Sequence, residues 1–425
     1  MKSRTKEALL TLMLSVVLVL SLTLTASADE VLTETVTTEV EEAVEETTES
    51  EDETEETDGE SDEESDEEAD NSTDDEEEED ADVVESTENV TNVTEINEIV
   101  EVAEEEVPAE PVAVNVLILP KFEVGAMSGD DPGEAQFYYD AYLSGGNTYK
   151  VQNASEGSKL YYKDGVALFV TGMGKVNAAQ NLMALLTDPN FDFSNAYILS
   201  TGCAGGAVEN TVLGDVCLIT GVADYDLGHH ADPRDMEDPD KNPTWFHSEH
   251  YDSSAYRLLN QDLISKVYPM IKDVPCASTE KTKKDMAENF DNAEWALRDP
   301  AVIKGSSVTG DNYWAGSYDE ANARLIIDTY PMADPYVATE MEDIAVAVTA
   351  DRTGLMNRLI ILRNIVNMDV YEKDMTAEKR WGAASDQISD DSDDSDDGES
   401  LFNVSMENNF NVGRVIVDAI LNGEL

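Results

Sequence analysis

The chain has 425 residues, with 93 Asp and Glu against 26 Lys and Arg, and a formal net charge of −67 at pH 7. That balance argues against nucleic acid as a partner, because phosphate contacts need a basic face. Cys203, Cys217 and Cys276 are odd in number and widely spaced, which argues against a disulfide framework or a zinc site.

Lys2, Arg4 and Lys6 precede an apolar run from Leu9 to Leu24 and then Ala26-Ser27-Ala28. This is the order of a secretory signal peptide over residues 1–28, cleaved after Ala28. An uncleaved anchor is the alternative, although the run is short for a spanning helix. No cysteine follows to take a lipid, and no later stretch is long and apolar enough to cross a membrane. The expectation is an exported protein, extracellular or associated with the cell surface.

Residues 29–110 contain no Lys or Arg and about 40 Asp and Glu; such a segment repels itself and buries too little apolar surface to fold. It reads as a disordered acidic spacer. Calcium binding is the sharper alternative, but no loop here has the ligand order of an EF-hand. Residues 385–400 look like the same material inserted as an acidic surface loop. Without these tracts the remainder still carries about −20.

Globular patterning starts at Val112. Strands are expected over Val112–Leu119, Gly165–Thr171, Ala196–Ser200, Val212–Asp224, Val302–Thr309 and Asn357–Asn367. Helices are expected over Lys175–Leu186, Asp262–Ile271, Ala321–Thr329, Glu342–Asp351 and Asn411–Leu421. The alternation predicts one α/β domain over residues 111–425, a mixed-sheet sandwich with ligands beyond the carboxyl ends of its strands.

Three segments carry candidate chemistry. Gly172-Met173-Gly174-Lys175 is not a nucleotide P-loop, because Phe169 stands at the upstream glycine position and Val176 replaces the Ser or Thr. Thr201-Gly202-Cys203-Ala204-Gly205-Gly206 reads as a loop whose N–H groups face an anion or a water, or as a plain tight turn. Glu340-Met341-Glu342 runs from an irregular segment, Ala333–Thr339, into a helix. Its carboxylates can accept from ribose hydroxyls while the thioether offers an apolar floor; an exposed helix start favoured by the dipole is the alternative. His229, His230, His247 and His250 share no helix face, so they read as loop histidines and no metal is expected.

In order, these segments resemble the nucleoside phosphorylase/nucleosidase superfamily, and within it the purine nucleoside permease family. Thr171–Ala179 is similar to its GIGKV-type turn and helix, and Thr201–Gly206 with Val212–Asp215 to its GSAGG…GD segment. Thr309–Tyr313 resembles SGDxF, Glu340–Glu342 the EME ribose clamp, and Arg363–Asn367 the RxISD strand. The long stretch from His229 to Arg298, with Pro243-Thr-Trp-Phe246, points to the permease branch. The resemblance implies a nucleoside phosphorylase-type sandwich and a purine nucleoside ligand. Glu342, Met341 and Glu340 would hold the ribose, Tyr313 would stack on the base, and the Trp314 backbone would read the purine edge. Gly202 and Cys203 would hold phosphate or the attacking water, and Glu123 would supply the acidic residue of the first strand. Asn367 stands where nucleosidases place an acidic Asp, and Asp369, on the same strand face, is a substitute acid. No cofactor is implied, and phosphate is a possible co-substrate, disfavoured because Ser200 stands where some phosphorylases have Arg. A homo-oligomer is a possible state. The resulting expectation is an exported protein of nucleoside uptake or salvage that binds purine nucleosides, with cleavage of their N-ribosidic bond left open by Asn367 and Cys203. A non-catalytic binder or a cell-surface interaction protein on an acidic stalk is the alternative.

Overall fold

The computed structural model describes residues 110–238, 243–290, 297–382 and 401–425. The signal peptide, the spacer up to residue 109 and the acidic insert at 385–400 lie outside the described residues. The strands of the main sheet are β1 (Val116–Leu119), β2 (Asn147–Lys150), β3 (Lys159–Lys163), β4 (Val166–Phe169), β5 (Tyr197–Gly206), β6 (Val216–Asp224), β7 (Tyr256–Leu258), β8 (Val302–Thr309), β9 (Tyr336–Glu340) and β10 (Leu359–Met368). The longer helices are α1 (Lys175–Leu186), α2 (Gln261–Ile271), α3 (Glu280–Asn289), α4 (Ser317–Thr329), α5 (Asp343–Arg352) and α6 (Leu401–Leu421).

All four residues of β1 are apolar and fully buried, which requires neighbours on both sides and cover on both faces. The strand lies parallel between β4 and β5. Its side chains alternate between two layers. Leu117 and Leu119 share a cluster with Leu182 and Leu185 of α1 and Val346 and Ala350 of α5. Val116 and Ile118 share another with Val267 and Ile271 of α2 and Ile416 and Val417 of α6. Each Leu, Ile or Val among them contributes about 1.5–3 kcal/mol by leaving water. The architecture is therefore the expected mixed-sheet α/β sandwich.

The sheet runs β7-β6-β8-β9-β5-β1-β4-β3-β2, and β10 pairs with both β5 and β6. Following the pairs β5-β10-β6-β8-β9 returns to β5, so five strands close into a ring. This corrects the expected loop at Thr201–Gly206, which is instead the second half of β5. The glycines serve close approach. A Cβ on Gly205 would stand 2.1 Å from Asp369 Oδ1, and one on Gly206 2.4 Å from Thr211 Oγ1.

Other boundaries move. The single strand expected at Val112–Leu119 is interrupted, the segment drawn as irregular before Glu340 contains β9, and α6 begins ten residues earlier than its apolar period suggested. Strands β2 and β3 went unread because Asn147-Thr-Tyr-Lys and Lys159-Leu-Tyr-Tyr-Lys carry few aliphatic residues and are only part-buried. Among the described residues no helix is long and apolar enough to cross a membrane.

Helix α6 gives a direct test of the packing. Gly413 lies against Tyr138, whose hydroxyl donates to Asn409 Oδ1 at 3.0 Å, and a Cβ would meet that hydroxyl at 1.9 Å. Gly413→Ala gains about 1 kcal/mol in helix propensity but overpacks the contact by about 1–3 kcal/mol. The expected result in urea unfolding is a net loss; a gain would show that Tyr138 yields without strain.

Candidate functional site

Lys121 after β1, Gly172–Gly174 after β4, the glycines of β5 and Glu340–Glu342 at the end of β9 converge around Arg363 of β10. Arg363 is the one charged residue in a mostly apolar strand and is only 1 % exposed. Its Nε donates to Asp343 Oδ2 at 2.9 Å and its Nη2 to Asp343 Oδ1 at 2.7 Å. Nη2 also reaches Glu342 Oε2 at 3.1 Å and Glu340 Oε2 at 3.3 Å, and Nη1 donates to the Cys203 carbonyl at 3.1 Å. One cation thus ties three carboxylates to the glycine strand.

The two glutamates of the clamp do different work. Glu340 Oε2 accepts the N–H groups of Glu342 and Asp343 at 2.7 and 2.6 Å, filling donors at the start of α5. Its Oε1 accepts from Thr309 and Ser307. Burial, then the Asp343 charge, raises its pKa to about 8. Its acceptor capacity is spent on the protein, so it is placed to fix the clamp and not to grip a ligand. Glu342 keeps capacity. Oε1 accepts from Gly174 N at 2.9 Å and Oε2 from Arg363, leaving roughly two of about four lone-pair sites. Met341 between them is half-buried. The Gly172–Gly174 turn therefore positions Glu342, while Lys175 is tied to Asp224 and Asp226 at 2.9 and 2.6 Å.

Glu123 lies elsewhere. Its carboxylate accepts from Gly133, Ala135 and Gln136 N–H groups, capping the short helix Gln136–Tyr138. The acidic residue at the glycine strand is Glu134, which the sequence reading missed. Its Oε1 accepts from Cys203 N at 2.9 Å and from the Cys203 thiol at 3.3 Å, and its Oε2 from Lys121 N at 2.6 Å. A Cβ on Gly202 would fall within 2.5 Å of this carboxylate, so the approach requires glycine there. Burial raises the Glu134 pKa against the pull of Arg363 and Lys121. Burial and the Glu134 charge push the Cys203 thiol up, so it stands as a protonated donor.

Tyr313 and Trp314 sit in the segment after β8, which is anchored by Gly310 N to Glu340 O and by Gly316 N to Asp369 O, both at 2.9 Å. Trp314 stacks on Tyr225 with centroids 5.3 Å apart. Tyr313 is 54 % exposed. Asn367 and Asp369 flank Gly205 from one side, as the strand period requires. Asn367 is half-buried. Asp369 is 0 % exposed, accepts from Thr339 Oγ1 at 2.6 Å and from the Tyr336 hydroxyl, and is raised by burial to about 7. His230 bonds the Tyr225 carbonyl, and His247 pairs with Asp252 at 2.7 Å.

Asp369 sets a pH dependence. Its folded pKa lies above the unfolded value, so its contribution to stability is full below about pH 4 and is lost as pH rises through 7. Asp369→Asn cannot titrate. The stability of the natural chain relative to this variant should fall by roughly 2 kcal/mol between pH 5 and 8. Urea midpoints across that range read it, and a constant difference would place the carboxyl pKa near its ordinary value.

A family model described as purine nucleoside permease matches residues 113–424. A probable purine nucleoside permease of Schizosaccharomyces pombe is 26% identical over 280 residues, covering 60% of this chain and 76% of the relative. A purine nucleoside permease of Candida albicans is 26% identical over 243 residues, 52% of this chain and 58% of that protein, so the match spans little more than half its length. Among solved structures, a 5′-methylthioadenosine/S-adenosylhomocysteine nucleosidase of Neisseria meningitidis aligns at 18% identity and a TM-score of 0.43, over 72% of this chain and 99% of the other. A futalosine hydrolase of Helicobacter pylori aligns at 12% identity and a TM-score of 0.44, over 72% and 99%. With nearly the whole described region inside the family match, the chain belongs to the purine nucleoside permease family.

Proposed function

We propose that this protein binds purine nucleosides and hydrolyses their N-ribosidic bond, as an exported component of nucleoside uptake or salvage. The observation that carries the reading is the pair Glu342 and Glu134, two buried carboxylates brought to the Gly202–Cys203 segment by Arg363 and the glycines of β5. Glu342 accepts from the ribose 2′ and 3′ hydroxyls. Glu134 orients a water and takes its proton as the water oxygen adds to the anomeric carbon. The C–N bond breaks with its electron pair leaving on the purine, which gains a proton supplied by Asp369, and the products are ribose and free base. Asn367 donates a hydrogen bond to the departing base. The names of the permease relatives support purine nucleosides as the ligand class. The order Lys2-Arg4-Lys6, apolar run and Ala26-Ser27-Ala28 supports export.

Water is favoured over phosphate as the nucleophile. Arg363 and Lys121, the cations beside the strand, are engaged with protein acceptors, and Glu134 would repel an anion there. One observation favours capture without cleavage, because both oxygens of the wholly buried Asp369 accept from the protein.

Purified protein is mixed with inosine in phosphate-free and in phosphate buffer, and hypoxanthine is followed by chromatography. The expected release is independent of phosphate. Glu134→Gln lowers it roughly 10²–10⁴-fold, the range for a general base, and Glu342→Ala raises KM as well as lowering kcat. Thermal stabilisation by inosine without base release would establish the capture reading; neither effect would overturn both.

A further inference from the structure

Neither the ribose clamp nor any motif of the sequence accounts for Lys121. It follows Pro120 at the end of β1, with its ammonium buried at 1 % exposure. Nζ donates to Leu119 O at 2.5 Å, Ser200 Oγ at 2.8 Å and Thr201 O at 3.5 Å. Three donors meet three acceptors, so this cation is committed to the protein. Its backbone N–H holds Glu134 Oε2 at 2.6 Å, and Ser200 passes the contact on to Asp343 at 3.2 Å. The charges that face it are Arg363, Asp343, Glu342 and Glu134. Arg363 is bonded to Glu340, Glu342 and Asp343, while the bonds to Glu134 come from Lys121 and Cys203.

We propose that Lys121 is a positioning residue whose buried ammonium ties the end of β1 to Ser200 and Thr201 of β5 as a countercharge to the buried Glu134, and whose backbone fixes that carboxylate against Gly202 and Cys203. This rests on Glu134 acting as the base toward water. A buried carboxylate is unstable as an anion unless a cation is near, and burial is the largest influence on Glu134, opposed by Arg363 and Lys121. The ammonium bears its own cost, since burial, then Arg363, lowers the Lys121 pKa to about 8. Lys121 also occupies the acceptors of Ser200 and Thr201, so the side of β5 that faces β1 is filled by a cation of the protein itself.

Two measurements test this. The first needs no substrate: thermal unfolding at pH 7 of the natural chain, Lys121→Met, Glu134→Gln and the double variant. If the ammonium serves the Glu134 charge, Lys121→Met lowers Tm and adding Glu134→Gln raises it again, so the double variant melts above Lys121→Met. Additive losses overturn the proposal. Should Lys121→Met fail to fold, recovery of folded protein on adding Glu134→Gln is the same positive result. If that double variant also fails, Lys121→Gln with and without Glu134→Gln is read by the same criterion. The second is the pH profile of kcat/KM for inosine hydrolysis. The acid limb should move to higher pH in Lys121→Met and stay in place in Lys121→Arg, which keeps the charge; an unmoved limb in a folded Lys121→Met overturns the proposal. A coupled thermal cycle with no base release from any protein would instead sink the hydrolytic reading and leave the Lys121–Glu134 coupling standing.

Discussion

The contact between Arg363 and three carboxylates from one short stretch organises the rest of the site. Glu340, Glu342 and Asp343 stand within four residues at the start of a helix, where the dipole favours negative charge only in part. Burying them together is unfavourable without a cation. The planar guanidinium meets Asp343 through two nitrogens, shares the other Nη2 N–H between Glu340 and Glu342, and donates from Nη1 to the Cys203 carbonyl. A lysine at this position could not span that fork. Because Arg363 sits opposite Gly202 in the β5–β10 ladder, the same residue sets both the clamp and the glycine strand against it.

The charge balance that follows suits one kind of chemistry. Two cations, Lys121 and Arg363, face four buried carboxylates, Glu134, Glu340, Glu342 and Asp343, and burial with the Asp343 charge raises the pKa of Glu340. The carboxylates outnumber the cations and keep the site negative. A negative, water-poor environment favours positive charge developing on a ribose ring and disfavours a phosphate dianion. The electrostatics thus agree with the choice of water, independently of Ser200 standing where a cation was sought.

Much of the sandwich was legible in the sequence because its signals are local. Val116–Leu119, Val302–Thr309 and Lys175–Leu186 declare themselves by apolar run or helical period. The site was legible in parts. Glu342 could be singled out because two carboxylates around a thioether at a helix entry are unusual, whereas Glu340 looked equivalent and is not, since only structure shows which carboxylate faces the α5 N–H groups. Glu134 had no signal among Glu123, Asp130 and Asp131, and the choice of Glu123 followed sequence distance from β1. The glycines of β5 were read as a loop because their real cause is lateral: Asp369 and Glu134 press on them from distant parts of the chain, and Thr211 from the turn that follows. Arg363 did carry a signal, a lone cation inside Leu359–Met368, and a charge in a buried strand marks a carboxylate partner.

Stability alone does not explain this polar centre. Replacing a buried ion network by apolar side chains of similar volume is often neutral or stabilising by about 1–4 kcal/mol, and the sandwich around it supplies apolar burial on both faces. Folding would therefore be served as well by apolar side chains in place of the whole network, Arg363 and its three carboxylates included. What an apolar centre could not do is hold one carboxylate, Glu342, with acceptor sites free, keep a second against the Gly202–Cys203 backbone, and do both without a mobile side chain. Each group in the network is fixed by at least two partners on different strands or turns. That arrangement costs folding energy and yields a preorganised pair of carboxylates, the condition under which electrostatic stabilisation of a transition state is largest.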